Sequence, residues 1–179
     1  MAVEARRLLI SPERLASGEG LALGLQPGEA HYLGRVLRLR RGDPIEVIDG
    51  EGQLWSAVLL NNDRLELEQP LGQPLRRVPP PRPHLALALA IPKRDADLVW
   101  RMATELGADL LQPLVAQRNV MRHRLPLERW GLIVREATQL CERLWLPRLA
   151  SPASAIEWLL DPTAGQGLLA TTRRDGLPM

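Results

Sequence analysis

One cysteine and one lysine occur among the 179 residues. With Cys141 alone no intrachain disulfide can form, which excludes a disulfide-stapled secreted domain. No apolar run approaches the roughly 18 residues of a membrane span, and Glu4, Arg6 and Arg7 stand where a signal peptide would be apolar. The expectation is a cytoplasmic protein without a membrane segment. Neither common Gly-rich phosphate loop is present. His31, His84 and His123 are scattered, with no carboxylate or cysteine at ligand spacing, so no metal is expected. Lys93 is the sole lysine among 23 basic residues, so 22 are arginine, an excess that a bias toward GC-rich codons can produce without function. The 21 acidic residues reduce the net charge to +2, and any nucleic-acid footprint must therefore be a local patch.

What is present is that of an ordinary globular chain, 45% apolar and 25% charged, long enough to bury a core as one large domain or two small ones. Its most informative stretch is His31 to Asp43, where Arg35, Arg38, Arg40 and Arg41 lie among Leu33, Val36, Leu37 and Leu39 before a Gly42-Asp43 turn. Arginine cannot deprotonate and forks onto phosphate oxygens, while the apolar residues can anchor the segment to a core. The alternative is a solvated turn whose arginines pair with Asp43 or Glu46.

From residue 6 to about 75 short strand-like runs alternate with turn residues: Ile45-Glu46-Val47-Ile48, Asp49-Gly50-Glu51-Gly52, Leu54 to Leu60, Asn61-Asn62-Asp63, Leu65 to Glu68. Such punctuation predicts hairpins in a small β-barrel or sandwich, with a helical segment near 28–39. Residues 72–83 hold five prolines and read as a stiff linker. The expected organisation is a first domain over 1–72, a Pro-rich linker over 73–83 and a second domain over 84–179.

The period then changes. Leu85 to Ile91 reads as a strand covered on both faces. Asp95 can cap a helix whose apolar face is Leu98, Val99, Met102, Ala103 and Leu106, ending at Gly107. Leu110 to Ala116 is a second strand despite Pro113. Pro126 opens a longer helix with Trp130, Val134, Ala137, Cys141 and Leu144 on one stripe; Cys141 there reads as a buried small hydrophobe rather than a nucleophile. A short helix near 152–160 and a strand at Gly167 to Thr172 follow. The pattern is α/β with a parallel sheet. With no helix after the last strand, the domain is expected to be C-terminally incomplete.

Ligands of open α/β sheets bind at the carboxyl ends of strands. Three polar rims are candidates: Pro92-Lys93-Arg94-Asp95, Gln117-Arg118-Asn119 and Thr171-Thr172-Arg173-Arg174. Strand ends are also polar by default. Lys93 could equally pair with Asp95 or Asp97. Glu105, at a helix C-terminus that disfavours a carboxylate, is expected to have a cationic partner such as Arg118 or Lys93, or to be an ordinary surface residue.

In order along the chain, His31-Tyr32-Leu33, Arg35-Val36-Leu37-Arg38, Gly42-Asp43, Asp49-Gly50, Pro92-Lys93, Thr104-Glu105-Leu106-Gly107, Arg118, and Arg143 with Pro147 form a set. In that set the chain resembles the 16S ribosomal RNA uridine-N3 methyltransferases (RsmE) of the trefoil-knotted SPOUT class, over nearly its whole length. The resemblance implies a PUA-like RNA-binding β-barrel followed by a SPOUT-type parallel α/β domain, S-adenosyl-L-methionine as methyl donor, 16S ribosomal RNA or the small ribosomal subunit as substrate, and a homodimer. It implies catalytic roles for Lys93, Arg94, Glu105 and Arg118, and RNA binding by His31, Arg35, Arg38, Arg40, Arg41 and Arg143. Thr171 and Thr172 would hold the cofactor in the first of three loops. The chain departs from the family in reading Gln139-Leu140-Cys141-Glu142-Arg143 where Glu-Gln usually precedes the Ser or Cys and Arg. It also lacks the Gly-Pro-Glu-Gly-Gly loop and the later Leu-Gly-x-Arg-Ile-Leu-Arg-x-Glu-Thr segment, so these residues alone are expected to be inactive. Two other readings stay open here: a non-catalytic RNA-binding protein with a degenerate methyltransferase domain, and an unrelated small-molecule α/β enzyme.

Overall fold

A computed structural model describes residues 6–18, 20–117, 125–160 and 166–168. Alternation sets the first sheet. In β5 (Arg64–Leu67) the leucines are buried while Arg64 and Glu66 face water, as a half-buried strand requires. The other strands are β1 (Arg6–Leu9), β2 (Ala22–Gly24), β3 (Pro44–Ile48), β4 (Gln53–Leu59) and β6 (Arg76–Arg77). They are ordered β1-β3-β4-β5-β2, with β6 sharing one edge of β4 with β5. Only β1 and β3 run parallel. The expected β-barrel is therefore an open sheet among the described residues. Its core holds Leu8, Ile10, Val47, Trp55 and Leu65.

The helical segment expected near 28–39 is shorter and irregular. Helix α1 (Pro12–Ala16) lies between β1 and β2, and α2 (Pro27–His31) passes into a π-helical turn, Tyr32–Val36. Arg38 ends the turn in the left-handed region at φ 57°, and the Leu39 N–H reaches back to the Leu33 carbonyl at 2.9 Å. That closure buries Leu33 and seats Leu37 and Leu39 on the core, as a helix-ending hydrophobic contact does. Val36, expected to anchor, is instead exposed.

The second sheet is parallel, as expected. Strand β8 (Leu110–Val115) is central, with β7 (Ala86–Ala90) on one edge and the two short strands β9 (Arg148–Leu149) and β10 (Ala153–Ser154) on the other. Pro113 fits mid-strand because its missing donor faces the break between β9 and β10. Leu111 accepts from Ala150 on that side and Leu114 accepts from Ile91 on the opposite side, so residue 113 points to the gap. The Gln112 amide bridges the break, donating to the Ser151 carbonyl at 2.8 Å. The full burial expected of β7 is not found; it is a half-exposed edge strand. The third strand expected at Gly167 to Thr172 falls mostly outside the described residues, and residues 166–168 form no strand.

Helices α3 (Ala96–Glu105) and α4 (Leu127–Leu140) pack through Trp100 and Trp130, whose ring centroids are 5.6 Å apart and tilted by 59°. Such an aromatic pair contributes about 0.5–1.5 kcal/mol beyond its buried area. The pairing selects the buried face of α3: Trp100, Ala103 and Thr104 go inside, and the expected Leu98-Met102-Leu106 stripe is exposed. The α4 stripe lies where expected, although Cys141 is only part-buried. Asp95 precedes α3 at φ 63° but its side chain makes no cap. A short helix α5 (Ala155–Leu160) ends the described fold.

The two sheets meet on the Asp49–Gly52 turn. Asp49 is buried and its carboxylate accepts from the Glu51 and Gln53 N–H groups, at 2.7 and 2.9 Å, and from the Gln53 amide at 2.8 Å. Onto this turn comes the segment after α4: Gly52 donates to the Leu144 carbonyl and Leu146 donates to the Gly50 carbonyl, each at 2.9 Å. The Trp145 indole N–H reaches the Val78 carbonyl at 3.0 Å, and Val78 itself donates to Gly52 at 2.8 Å. The Pro-rich segment is thus laid along the first sheet through β6 and Val78. Leu9, Ile48, Leu54 and Leu144 close over the junction. On α4 the Gln139 side chain accepts the Leu9 N–H at 2.8 Å, and Arg135 donates to the Leu9 carbonyl at 3.2 Å. Burial lowers the pKa of Arg135, which still stays protonated because arginine starts so high.

Gly52 adopts φ +94°, and a Cβ there would lie 2.3 Å from the Val78 oxygen and 2.7 Å from the Trp145 indole. Gly52→Ala is therefore expected to lower stability by about 2–4 kcal/mol through combined strain and clash. Denaturant unfolding measures it; an unchanged midpoint would contradict the packed junction.

Candidate functional site

The arginine segment is presented to water. Its ends are fixed by Leu33 and Leu39 inside and by the turn in which Asp43 accepts the Arg40 backbone N–H at 2.7 Å. His31, Arg35, Arg38, Arg40 and Arg41 are all exposed. Among the described residues none of these side chains forms an ion pair: Glu46 pairs with Arg7 instead, at 2.6 Å, and Asp43 serves the backbone. The paired-arginine alternative is thereby corrected. Tyr32 beside them has its pKa raised by burial and then by the charge of Glu136.

At the carboxyl end of β7, Lys93 and Arg94 are exposed and line a cleft of about 370 Å³ with Asp97 and Arg129. Lys93 does not pair with Asp97, which forms an ion pair with Arg129 and accepts the Trp130 indole N–H at 3.0 Å. Arg129 was not singled out from the sequence. The signal for it is a cation in the first turn of α4, where the helix dipole disfavours positive charge unless an acid or an anionic ligand offsets it. Arg118 would stand beyond the carboxyl end of β8, but it lies outside the described residues, as do Thr171 and Thr172.

Glu105 is not brought to this rim. Helix α3 starts at the rim and runs away from it, so Glu105, ten residues along, sits about 15 Å from Lys93 and Arg94. It is exposed and has no partner among the described residues, so it does not pair with Lys93, while Arg118 lies outside the described residues. Arg143 is likewise placed elsewhere than an RNA-facing surface. Its guanidinium donates to the Thr104 and Ala108 carbonyls at 2.9 and 2.8 Å and to Asp109 at 2.8 Å, with 13% of the side chain exposed. A cation at a helix C-terminus meets unpaired carbonyls and the negative end of the dipole, so Arg143 holds the end of α3.

Among the described residues no group of three or more His, Cys, Asp or Glu is placed to hold a metal, and no helix is long and apolar enough to cross a membrane. The chemistry on offer is cationic, with exposed arginines on one sheet and a lysine-arginine rim on the other.

Comparison with known proteins matches this arrangement. Residues 79–176 fit the family model of an RNA methyltransferase domain and residues 25–69 that of an RNA methyltransferase PUA domain. Ribosomal RNA small subunit methyltransferase E of Synechocystis sp. is 36% identical over 172 residues, covering 94% of this chain and 54% of the relative. The protein of that name from Aquifex aeolicus is 27% identical over 128 residues, covering 69% of this chain and 55% of the relative. The chain thus spans about half the length of the curated relatives it matches. In fold it is similar to the crystal structure of ribosomal RNA small subunit methyltransferase E from Neisseria gonorrhoeae bound to S-adenosyl methionine. The TM-score is 0.73 at 24% identity, covering 90% of this chain and 67% of that one. An unrelated small-molecule enzyme is thereby excluded. The chain belongs to the RNA methyltransferase family that includes ribosomal RNA small subunit methyltransferase E.

Proposed function

We propose that the protein to which these residues belong methylates the N3 atom of a uridine in 16S ribosomal RNA, using S-adenosyl-L-methionine, and acts in the cytoplasm as a homodimer. The observation that carries this reading is the set Arg35, Arg38, Arg40 and Arg41, exposed on a rigid turn and free of ion pairs among the described residues, in a chain of this family. Four such guanidiniums suit the backbone of a ribosomal RNA strand, and His31 is exposed just before the turn.

The bound cofactor would supply an electrophilic methyl group. The described rim fits the nucleic-acid partner of such a reaction better than the cofactor itself, since Lys93, Arg94 and Arg129 would repel a sulfonium and attract phosphate. Holding the cofactor is assigned to Thr171 and Thr172. Uracil N3 becomes nucleophilic when its imide proton passes to solvent, and the negative charge left behind is shared with the two carbonyl oxygens that flank N3. Lys93, Arg94 and Arg118 are the cations assigned to stabilise that charge, work that consists of orientation and electrostatics. The reacting edge is occupied in a base pair, so the substrate uridine must be unpaired or flipped out.

Arg35→Ala combined with Arg38→Ala is expected to weaken binding of single-stranded ribosomal RNA roughly tenfold near 0.1 M salt and to flatten the log–log salt dependence by about 1.4. Filter binding across a salt series measures both; unchanged affinity and slope would remove the arginines from the interface. The 179 residues are expected to bind S-adenosyl-L-methionine weakly, and a longer chain carrying the two family loops tightly. Calorimetry on the two decides: tight binding by the 179 residues overturns the expectation of inactivity, and none by either favours a non-catalytic RNA-binding protein. Sedimentation of the same samples tests self-association, for which the exposed Leu98, Met102 and Leu106 offer an apolar surface.

A further inference from the structure

A second cavity, of about 360 Å³, lies between the Pro-rich segment and the amino ends of β7 and β8. It is at the opposite end of the second sheet from Lys93 and Arg94, about 16 Å away along the five residues of β7, so one ligand cannot occupy both. Its volume is at the lower end of small-ligand sites, roughly 300–1,000 Å³.

Two kinds of surface meet in it. Pro80, Pro81 and Trp145 supply rigid apolar walls. The indole cannot swing freely, because its N–H is held by Val78 and its five-membered ring edge lies against Gly52. The charged members are His84, Asp109 and Arg148. Asp109 is already satisfied: one oxygen receives Arg143 at 2.8 Å and the other the Leu85 N–H at 3.0 Å. Arg148 is exposed and has no acidic partner among the described residues, and His84 is 70% exposed with only a 3.9 Å approach to Asp109. The cavity therefore offers a fixed aromatic ring beside a guanidinium with no acidic partner among the described residues, a combination that suits a planar base carrying a phosphate.

We propose that this cavity binds one unpaired nucleotide of an RNA strand, its base against Trp145 and the prolines and its phosphate at Arg148 and His84. That the nucleotide belongs to RNA rests on the function proposed above; the nucleotide chemistry rests on the cavity. The bound nucleotide is distinct from the one methylated, and it would fix the strand at a second point across the sheet from the reaction rim.

The test is titration of the full chain with uridine 5′-monophosphate, uridine and inorganic phosphate, followed by the Trp145 indole ¹⁵N–¹H resonance, which is assigned with Trp145→Phe. The monophosphate should shift that resonance, with uridine and phosphate each binding more weakly. Arg148→Ala with His84→Ala should raise the monophosphate dissociation constant roughly tenfold, and it should also weaken single-stranded RNA. Arg35→Ala with Arg38→Ala should leave monophosphate binding unchanged. An unmoved Trp145 resonance at millimolar nucleotide overturns the proposal. So does an equal response to inorganic phosphate alone, or wild-type affinity in the Arg148 and His84 double variant. If that double variant binds RNA normally while the Arg35 and Arg38 variant does not, the nucleotide site fails and the RNA-binding function stands. An unchanged indole resonance in the ligand-free double variant confirms that the junction around Trp145 is intact.

Discussion

Asp49 turns one short loop into the footing of the whole chain. Its buried carboxylate is fully used by three donors inside its own turn, so the turn is rigid before anything lands on it. A charge in such a place is tolerated only when it is hydrogen-bonded, and here the bonds also define the backbone. The glycines that follow leave the face of the turn bare. Leu144, Trp145 and Leu146 can then add to it almost as a strand would, with Glu51 and Trp145 bridging antiparallel. Because the Pro-rich segment docks on the same turn through Val78, one small structure fixes the first sheet, the connector and the second sheet together.

That footing organises the chemistry. The arginine segment leaves the first sheet through a π-helical turn, and α4 is tied to β1 by Gln139 and Arg135. Lys93 and Arg94 occupy the carboxyl end of a sheet whose central strand is braced across its Pro113 break by Gln112. The exposed arginines and the lysine-arginine rim thus belong to different sheets, and their separation is only as definite as the junction between them. Arg143 supports the same arrangement from within by tying the end of α3 to the segment that docks.

Much of this is legible in the residues themselves. Runs such as Arg64-Leu65-Glu66-Leu67 alternate cleanly, and the Asp-Gly and Asn-rich turns between them announce a meander. The parallel second sheet follows from strands separated by helices, whereas the freedom of the exposed arginines is settled only by Arg7 taking Glu46 and the Arg40 backbone taking Asp43. What is not legible depends on partners remote in sequence. Helix α3 carries two apolar stripes of equal periodicity, and only Trp130 on another helix decides that Trp100 rather than Met102 goes inside. Strands β6, β9 and β10 are two residues long, too short for any period to show. Arg143 is chemically as fit for phosphate as for carbonyl oxygens; the geometry of α3 assigns it. Glu105 is separated from Lys93 and Arg94 for a reason of length, since a ten-residue helix carries it away from them.

The Asp49–Gly52 turn makes one rigid body of the two sheets. Backbone ¹⁵N relaxation on the chain tests it directly. A single rotational correlation time shared by amides of β1 to β5 and amides of β7, β8 and α4 is expected. Two distinct correlation times, with raised mobility at Val78 and Trp145, would contradict it.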